Sequence, residues 1–257
     1  MTKYLLFLLG TRLLLQDPLY CQERRMETDR PDQTESPVLV KKGWLQTESG
    51  LQAEWDGNTS SFFHPGTLWK FGLSHWLELR LTTDFLSRQS RPLPDNRLRE
   101  TGLLPLEIGG KIALVDEKGY RPKIALILQA APATWGNKKF HTHSWAHGFR
   151  FTLQHTLAPG IGIGYNLGAE WDGFSRQPAF IYTLSPGFDL GQCWYVYAEI
   201  YGAVTKTEGP AHHIATGAAF YITDDLKLDL SAGRGLTKAA TDGYLAFGVS
   251  FRLPVIK

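Results

Sequence analysis

From Trp44 onward, apolar and polar residues alternate along the chain. Leu45, Thr47, Ser49, Leu51, Ala53 and Trp55 share one face; Gln46, Glu48, Gly50, Gln52 and Glu54 share the other. A period of two is that of a β-strand, whose successive side chains point to opposite faces. The pattern recurs. Leu77, Leu79 and Leu81 oppose Glu78, Arg80 and Thr82; Phe149, Phe151 and Leu153 oppose Arg150, Thr152 and Gln154. Trp194, Val196, Ala198 and Ile200 oppose Tyr195, Tyr197, Glu199 and Tyr201; Leu226, Leu228 and Leu230 oppose Lys227, Asp229 and Ser231.

Twelve strands are predicted, near 44–55, 66–74, 76–86, 103–114, 122–134, 143–157, 161–171, 178–189, 194–205, 212–222, 226–234 and 243–253. Ordinary strands average ~5–6 residues, whereas tilted strands crossing a bilayer need ~9–11. Most of the predicted strands reach the second length. Their connections alternate short and long, with stretches such as 56–65, 87–101 and 134–142 read as long loops. That asymmetry belongs to outer-membrane barrels. The tryptophans fall at strand ends and predict two interfacial belts: Trp44, Trp76 and Trp194 on the turn side, and Trp55, Trp69, Trp135, Trp145 and Trp171 on the loop side.

A strand with one apolar and one charged face needs lipid or a second sheet on its apolar side. In lipid no sheet edge stays open, so the sheet closes. The expected fold is therefore all-β: a closed antiparallel up-and-down transmembrane β-barrel of about twelve strands. Its wet face becomes the lumen. Glu48, Glu78, Arg80, Arg150, Glu170, Tyr197, Glu199, Tyr201, Lys227 and Asp229 are the expected solute-pathway residues, with Glu54, Lys111, Lys123 and Arg252 on the same face. Glycines at 162 and 164 are read as lumen-facing, where a bulky neighbour or plug needs room.

Composition narrows the function classes. The mean hydropathy of −0.21 excludes a polytopic helical membrane protein. A net charge of +2 argues against a nucleic-acid binder, whose affinity comes from neutralising phosphates. Two cysteines make no disulfide scaffold. Residues 1–22 read as an export signal, a short basic start before an apolar run, cut near Cys21 or Gln22. Cys21 then leaves with it. Residues 23–42 form a polar segment and 43–257 the barrel.

The polar segment is dense in charge and broken by Pro31 and Pro37. It fits neither a long helix nor a membrane strand. Its composition favours an exposed linker between leader and barrel; the alternative is a segment folded into the barrel mouth, with Arg30 paired to lumen carboxylates. Thr28-Asp29-Arg30-Pro31-Asp32 and Thr34-Glu35-Ser36-Pro37 resemble the start of the bacterial family labelled "putative MetA-pathway of phenol degradation". Val40-Lys41-Lys42-Gly43, Leu68 to Leu73, Trp76 to Arg80 and Leu106 to Lys111 extend the resemblance over most of the mature chain. It implies an outer-membrane barrel in a Gram-negative-type bacterium and uptake of small, aromatic solutes. It singles out Asp29, Arg30, Pro31, Asp32 and Glu35 as a motif and brings no catalytic residues.

Other chemistry is weakly supported. His141 and His143 are spaced to share a strand face, but no cysteine or close carboxylate completes a metal site. Ser74-His75 and His143-Ser144 are sequence neighbours, so on a strand their side chains diverge and neither forms a nucleophile–base pair. Gly160-Ile161-Gly162-Ile163-Gly164 precedes a strand rather than the helix that cradles a phosphate. No enzyme, cofactor, metal or nucleic-acid partner is expected. The expected function is a passive channel or transporter for small solutes, with outer-membrane lipids as partners. The alternatives are a structural or surface-interaction barrel with a plugged lumen and, further off, a lipid-modifying barrel enzyme.

Overall fold

The computed structural model describes residues 25–93, 96–207 and 209–256; the predicted export signal lies outside them. Among these residues thirteen strands follow one another: β1 Trp44–Asp56, β2 Thr59–Gly72, β3 Leu77–Leu93, β4 Asn96–Leu103, β5 Glu107–Val115, β6 Lys123–Ala131, β7 Ala146–Ala158, β8 Ile161–Trp171, β9 Ala179–Leu190, β10 Trp194–Thr205, β11 Gly209–Thr223, β12 Leu226–Gly235 and β13 Gly243–Pro254. Each pairs antiparallel with its sequence neighbour, except that β4 pairs only with β3. The seam runs from Trp44↔Pro254 to Trp55↔Gly243 and joins β1 to β13. Twelve strands thus close a barrel, and β4 is an outgrowth on its rim.

The outgrowth corrects the predicted strand over 103–114. The first half of β3 pairs with β5 through Leu77↔Ile112, and its second half with β4 through Phe85↔Leu103. The chain breaks at Leu104-Pro105-Leu106 because proline has no N–H to give the ladder. The expected long loops at 56–65 and 87–101 are likewise mostly strand. β2 starts at Thr59 and carries an irregularity between Phe63 and Gly66 that absorbs Pro65. The start of β2 also moves Trp69. It pairs with Thr47, near the turn-side end of β1, so it belongs to the turn-side belt rather than the loop-side one.

Sidedness is inverted relative to a soluble protein. Leu167, Phe180, Leu230 and Phe247 are among the exposed apolar residues, while Glu48, Lys70, Glu78, Lys111, Glu199, Lys227 and Asp229 are buried. Exposed outward-facing apolar side chains around a closed sheet suit the hydrocarbon region of a bilayer. The charged faces all meet inside, where something must compensate them.

Candidate functional site: a charged lumen and the segment inside it

The compensation comes from residues 25–40. This segment enters beside the β11–β12 turn, where the Met26 N–H donates to Asp224 O at 2.9 Å. It rises into the lumen and returns to the same side, where the Val40 N–H donates to Glu78 Oε2 at 2.8 Å. It is a plug. The exposed-linker reading of this segment is overturned, because its charges find partners on the wall that water would otherwise supply.

Asp29 is the hub. Its carboxylate lies 3.0 Å from Lys70 Nζ, 2.9 Å from Arg80 Nη1 and 3.1 Å from Lys111 Nζ. These cations come from β2, β3 and β5, three adjacent strands of the closed ring. All four side chains are buried. The Ser36 N–H donates to Asp29 Oδ1 at 3.0 Å, and Lys111 Nζ donates to Ser36 O at 2.7 Å, so the hub also ties the plug's two limbs together. Burial alone would raise the Asp29 carboxyl, but Lys111, Lys70 and Arg80 outweigh it and hold it well below the usual carboxylate range.

Glu48 on β1 accepts the N–H groups of Asp29 and Arg30, each at 2.9 Å, and pairs with Lys70. Arg30 runs along the same wall past β13 and meets Asp229 on β12 at 2.9 Å. Gly50 and Gly248 make room for it: a Cβ at either position would lie 2.5 Å from the Arg30 guanidinium. Lys227 donates to Thr28 Oγ1 and Arg30 O, and the Tyr197 hydroxyl donates to Pro31 O at 3.1 Å. Higher in the lumen, Glu199 on β10 accepts the Gln33 N–H at 3.0 Å and the Thr34 hydroxyl at 2.6 Å. Glu35 pairs with Arg80 at 2.7 Å and lies 3.5 Å from Arg150, which bonds Glu170 at 3.0 Å. Asp32 behaves oppositely to Asp29: burial and the nearby Glu199 push its carboxyl well above the usual range.

The predicted lumen residues are therefore on one surface. Glu48, Glu78, Arg80, Arg150, Tyr197, Glu199, Lys227 and Asp229 all touch the plug, and Glu170 reaches it through Arg150. Tyr201 does not join them; its ring stacks on His213 at 4.7 Å between centroids. Gln46, Lys70 and Asn166 were not among the predicted pathway residues. Lys70 was hidden in the apolar run Leu68 to Phe71, yet a single lysine on a lipid-crossing strand is itself a lumen signal. Among the described residues no group of three or more His, Cys, Asp or Glu side chains could hold a metal ion. His143 and His147 instead pack against Phe174 and Trp171.

The closed barrel resembles solved outer-membrane proteins. The COG4313 outer membrane channel from Pseudomonas putida F1 superposes with a TM-score of 0.70 over 88% of this chain and 100% of that one, at 11% identity. The NanC porin does so with a TM-score of 0.55 over 81% and 100%, at 9% identity. The KdgM porin gives 0.52 over 79% and 98%, at 6% identity. At such identities the likeness is one of fold, an outer-membrane β-barrel. No curated protein sequence matches the chain. The family described as "Putative MetA-pathway of phenol degradation" matches residues 28–253, which take in most of the plug and nearly the whole barrel, and the chain belongs to that family.

Proposed function

We propose that the protein is a passive outer-membrane channel for small solutes, and that the 25–40 plug sets its conductance. The observation that carries this reading is the plug's mode of attachment. It is held by side-chain ion pairs and hydrogen bonds to the lumen wall, and a cavity of about 120 Å³ remains beside it. The more exposed pairs, Arg30 with Asp229 and Arg150 with Glu35, exchange more readily than the buried Asp29 hub, which keeps the plug seated. Small aromatic compounds are the proposed solute class, supported by the family's link to phenol degradation and by the lumen-face stack of Tyr201 on His213. The role is non-enzymatic, with outer-membrane lipids around the barrel and a small solute within it. The test is conductance of the full chain in planar bilayers. Discrete, reproducible steps support a water-filled path and justify a solute screen beginning with phenols. A folded, heat-modifiable barrel with no steps points to the second reading, a structural barrel sealed by its plug, which the dense ion pairing of Asp29 favours.

A further inference from the structure

The plug is held unevenly, and the cavity lies where it is held least. Toward β1, β2, β3, β5 and β12 its partners are buried charges: Glu48, Lys70, Arg80, Lys111 and Asp229. Toward β8 and β9 its upper part meets only neutral groups. The Glu35 N–H donates to Asn166 Oδ1 at 2.7 Å, and Asn166 Nδ2 donates back to Glu35 O at 2.9 Å. Thr34 Oγ1 lies 2.8 Å from Thr183 Oγ1, and the Ser185 hydroxyl donates to Asp32 at 3.3 Å. A neutral hydrogen bond contributes little net, because water replaces it well; a buried charge stripped of its partner costs several times as much.

The cavity of about 120 Å³ opens along this neutral side and continues toward the turn side past Tyr195, Tyr221 and Lys227. Its wall includes Gly162, Gly164, Gly187 and Gln154, and its plug side includes Asp32, Thr34 and Ser36. The glycines set its width: a Cβ at Gly164 would already lie 3.0 Å from the Thr34 methyl. Arg25 lines it at the turn side, and Arg150 stands beyond its upper lining at Glu35. At the turn side, Arg25 pairs with Asp189 on β9. At the upper end, Arg150 reaches from β7 to donate to Gln33 O at 3.1 Å and lies 3.5 Å from Glu35, whose backbone Asn166 clasps.

We infer that solutes pass beside the docked plug, along the cleft between residues 32–37 and the β8–β9 wall, and that the Glu35–Arg150–Asn166 clasp is the constriction that opens. The Asp29 hub stays closed while they pass. Releasing the clasp breaks the part-buried Glu35–Arg150 pair and a few neutral bonds while Glu35 stays on Arg80; withdrawing the whole plug would strip Lys70, Arg80, Lys111 and Asp229 at once. The inference rests on the channel reading, and its test separates the two.

The experiment uses the full chain in planar bilayers, with Cys21 and Cys193 replaced by serine and a negatively charged methanethiosulfonate as probe. Gln154→Cys and Gly164→Cys place a thiol in the cleft; Ser250→Cys places one on the anchored side, fully buried between the Glu48 and Lys227 strands. Gln154→Cys adds no bulk, so it reads the cleft even where Gly164→Cys does not fold. Modification at the two cleft positions should lower conductance about twofold or more, leaving Ser250→Cys unmodified, and Arg150→Gln should raise it by a similar factor. Labelling at Ser250→Cys as fast as at Gln154→Cys would mean that the plug leaves as a whole, and overturns the inference while the channel reading stands. So does an Arg150→Gln channel with unchanged conductance. Folded barrels that conduct in no variant overturn the channel reading and the inference together.

Discussion

Among single residues, Asp29 carries the most. One carboxylate neutralises parts of three cations from three strands, and none of the four is open to solvent. Asp29→Asn would leave Lys70 with Glu48 and Arg80 with Glu35 and Glu78, but would take from Lys111 its carboxylate partner. Removing one member of a buried charge cluster costs ~3–5 kcal/mol, and Lys111 then keeps only the Ser36 carbonyl of its plug contacts. The expected outcome is a barrel that still inserts but holds its plug loosely. Endoproteinase Glu-C should then cut after Glu35, and conductance should rise; a protected Glu35–Ser36 bond with wild-type conductance would refute the hub. This residue was poorly legible beforehand. The less favoured reading of the segment places Arg30 on lumen carboxylates, and it meets Asp229, but nothing in the sequence distinguishes a carboxylate that gathers three cations from its neighbour Asp32. That difference arises only when strands distant in sequence are brought into register.

At the scale of the element, the plug carries two carboxylates with opposed preferences. Asp29, held low, contributes docking free energy above the ordinary carboxylate range, and that contribution is lost only as pH falls through its lowered value. Asp32, held high, contributes fully below the ordinary range, and its contribution is lost as pH rises through its raised value. Moving from neutral to mildly acidic pH therefore tightens the plug through Asp32 while Asp29 stays ionised. Conductance should fall over that interval, and Asp32→Asn should flatten the dependence. A wild-type channel that opens on mild acidification would contradict this balance. The elements themselves were readable from the sequence wherever alternation was uninterrupted. β8, predicted at 161–171, occupies Ile161–Trp171. Departures occur where proline or glycine interrupts alternation: Pro65 and Gly66 masked the first half of β2, and Pro105 concealed the division between β4 and β5. A proline within a strand reads as a boundary, and only the paired neighbour reveals that the ladder resumes beyond it.

For the whole molecule, the fold follows from placing apolar side chains outside and charged ones inside. Leu230, exposed and near the middle of β12, tests that arrangement. Leu230→Arg would set a guanidinium against hydrocarbon at a cost of ~2–4 kcal/mol, and urea-dependent folding into vesicles should register that loss. Unchanged stability would mean that this face does not meet lipid. Barrel, sidedness and strand direction were all legible because lipid imposes a period-two code on every crossing. The occupancy of the lumen was not, since a charged segment before the first strand reads alike whether it lies in water or among partners.

The seam between β1 and β13 carries a consequence for assembly. The plug precedes β1 in the chain, and its anchors are distributed in order: Glu48, Lys70, Arg80 and Lys111 on strands made early, Asp229 on the penultimate one. A half-built sheet of the first strands already offers the plug its cationic arc. The last hairpin then meets a surface prepared with Arg30, and the ring closes around its own contents. The segment that narrows the finished pore is in this sense a mandrel, around which the barrel is rolled.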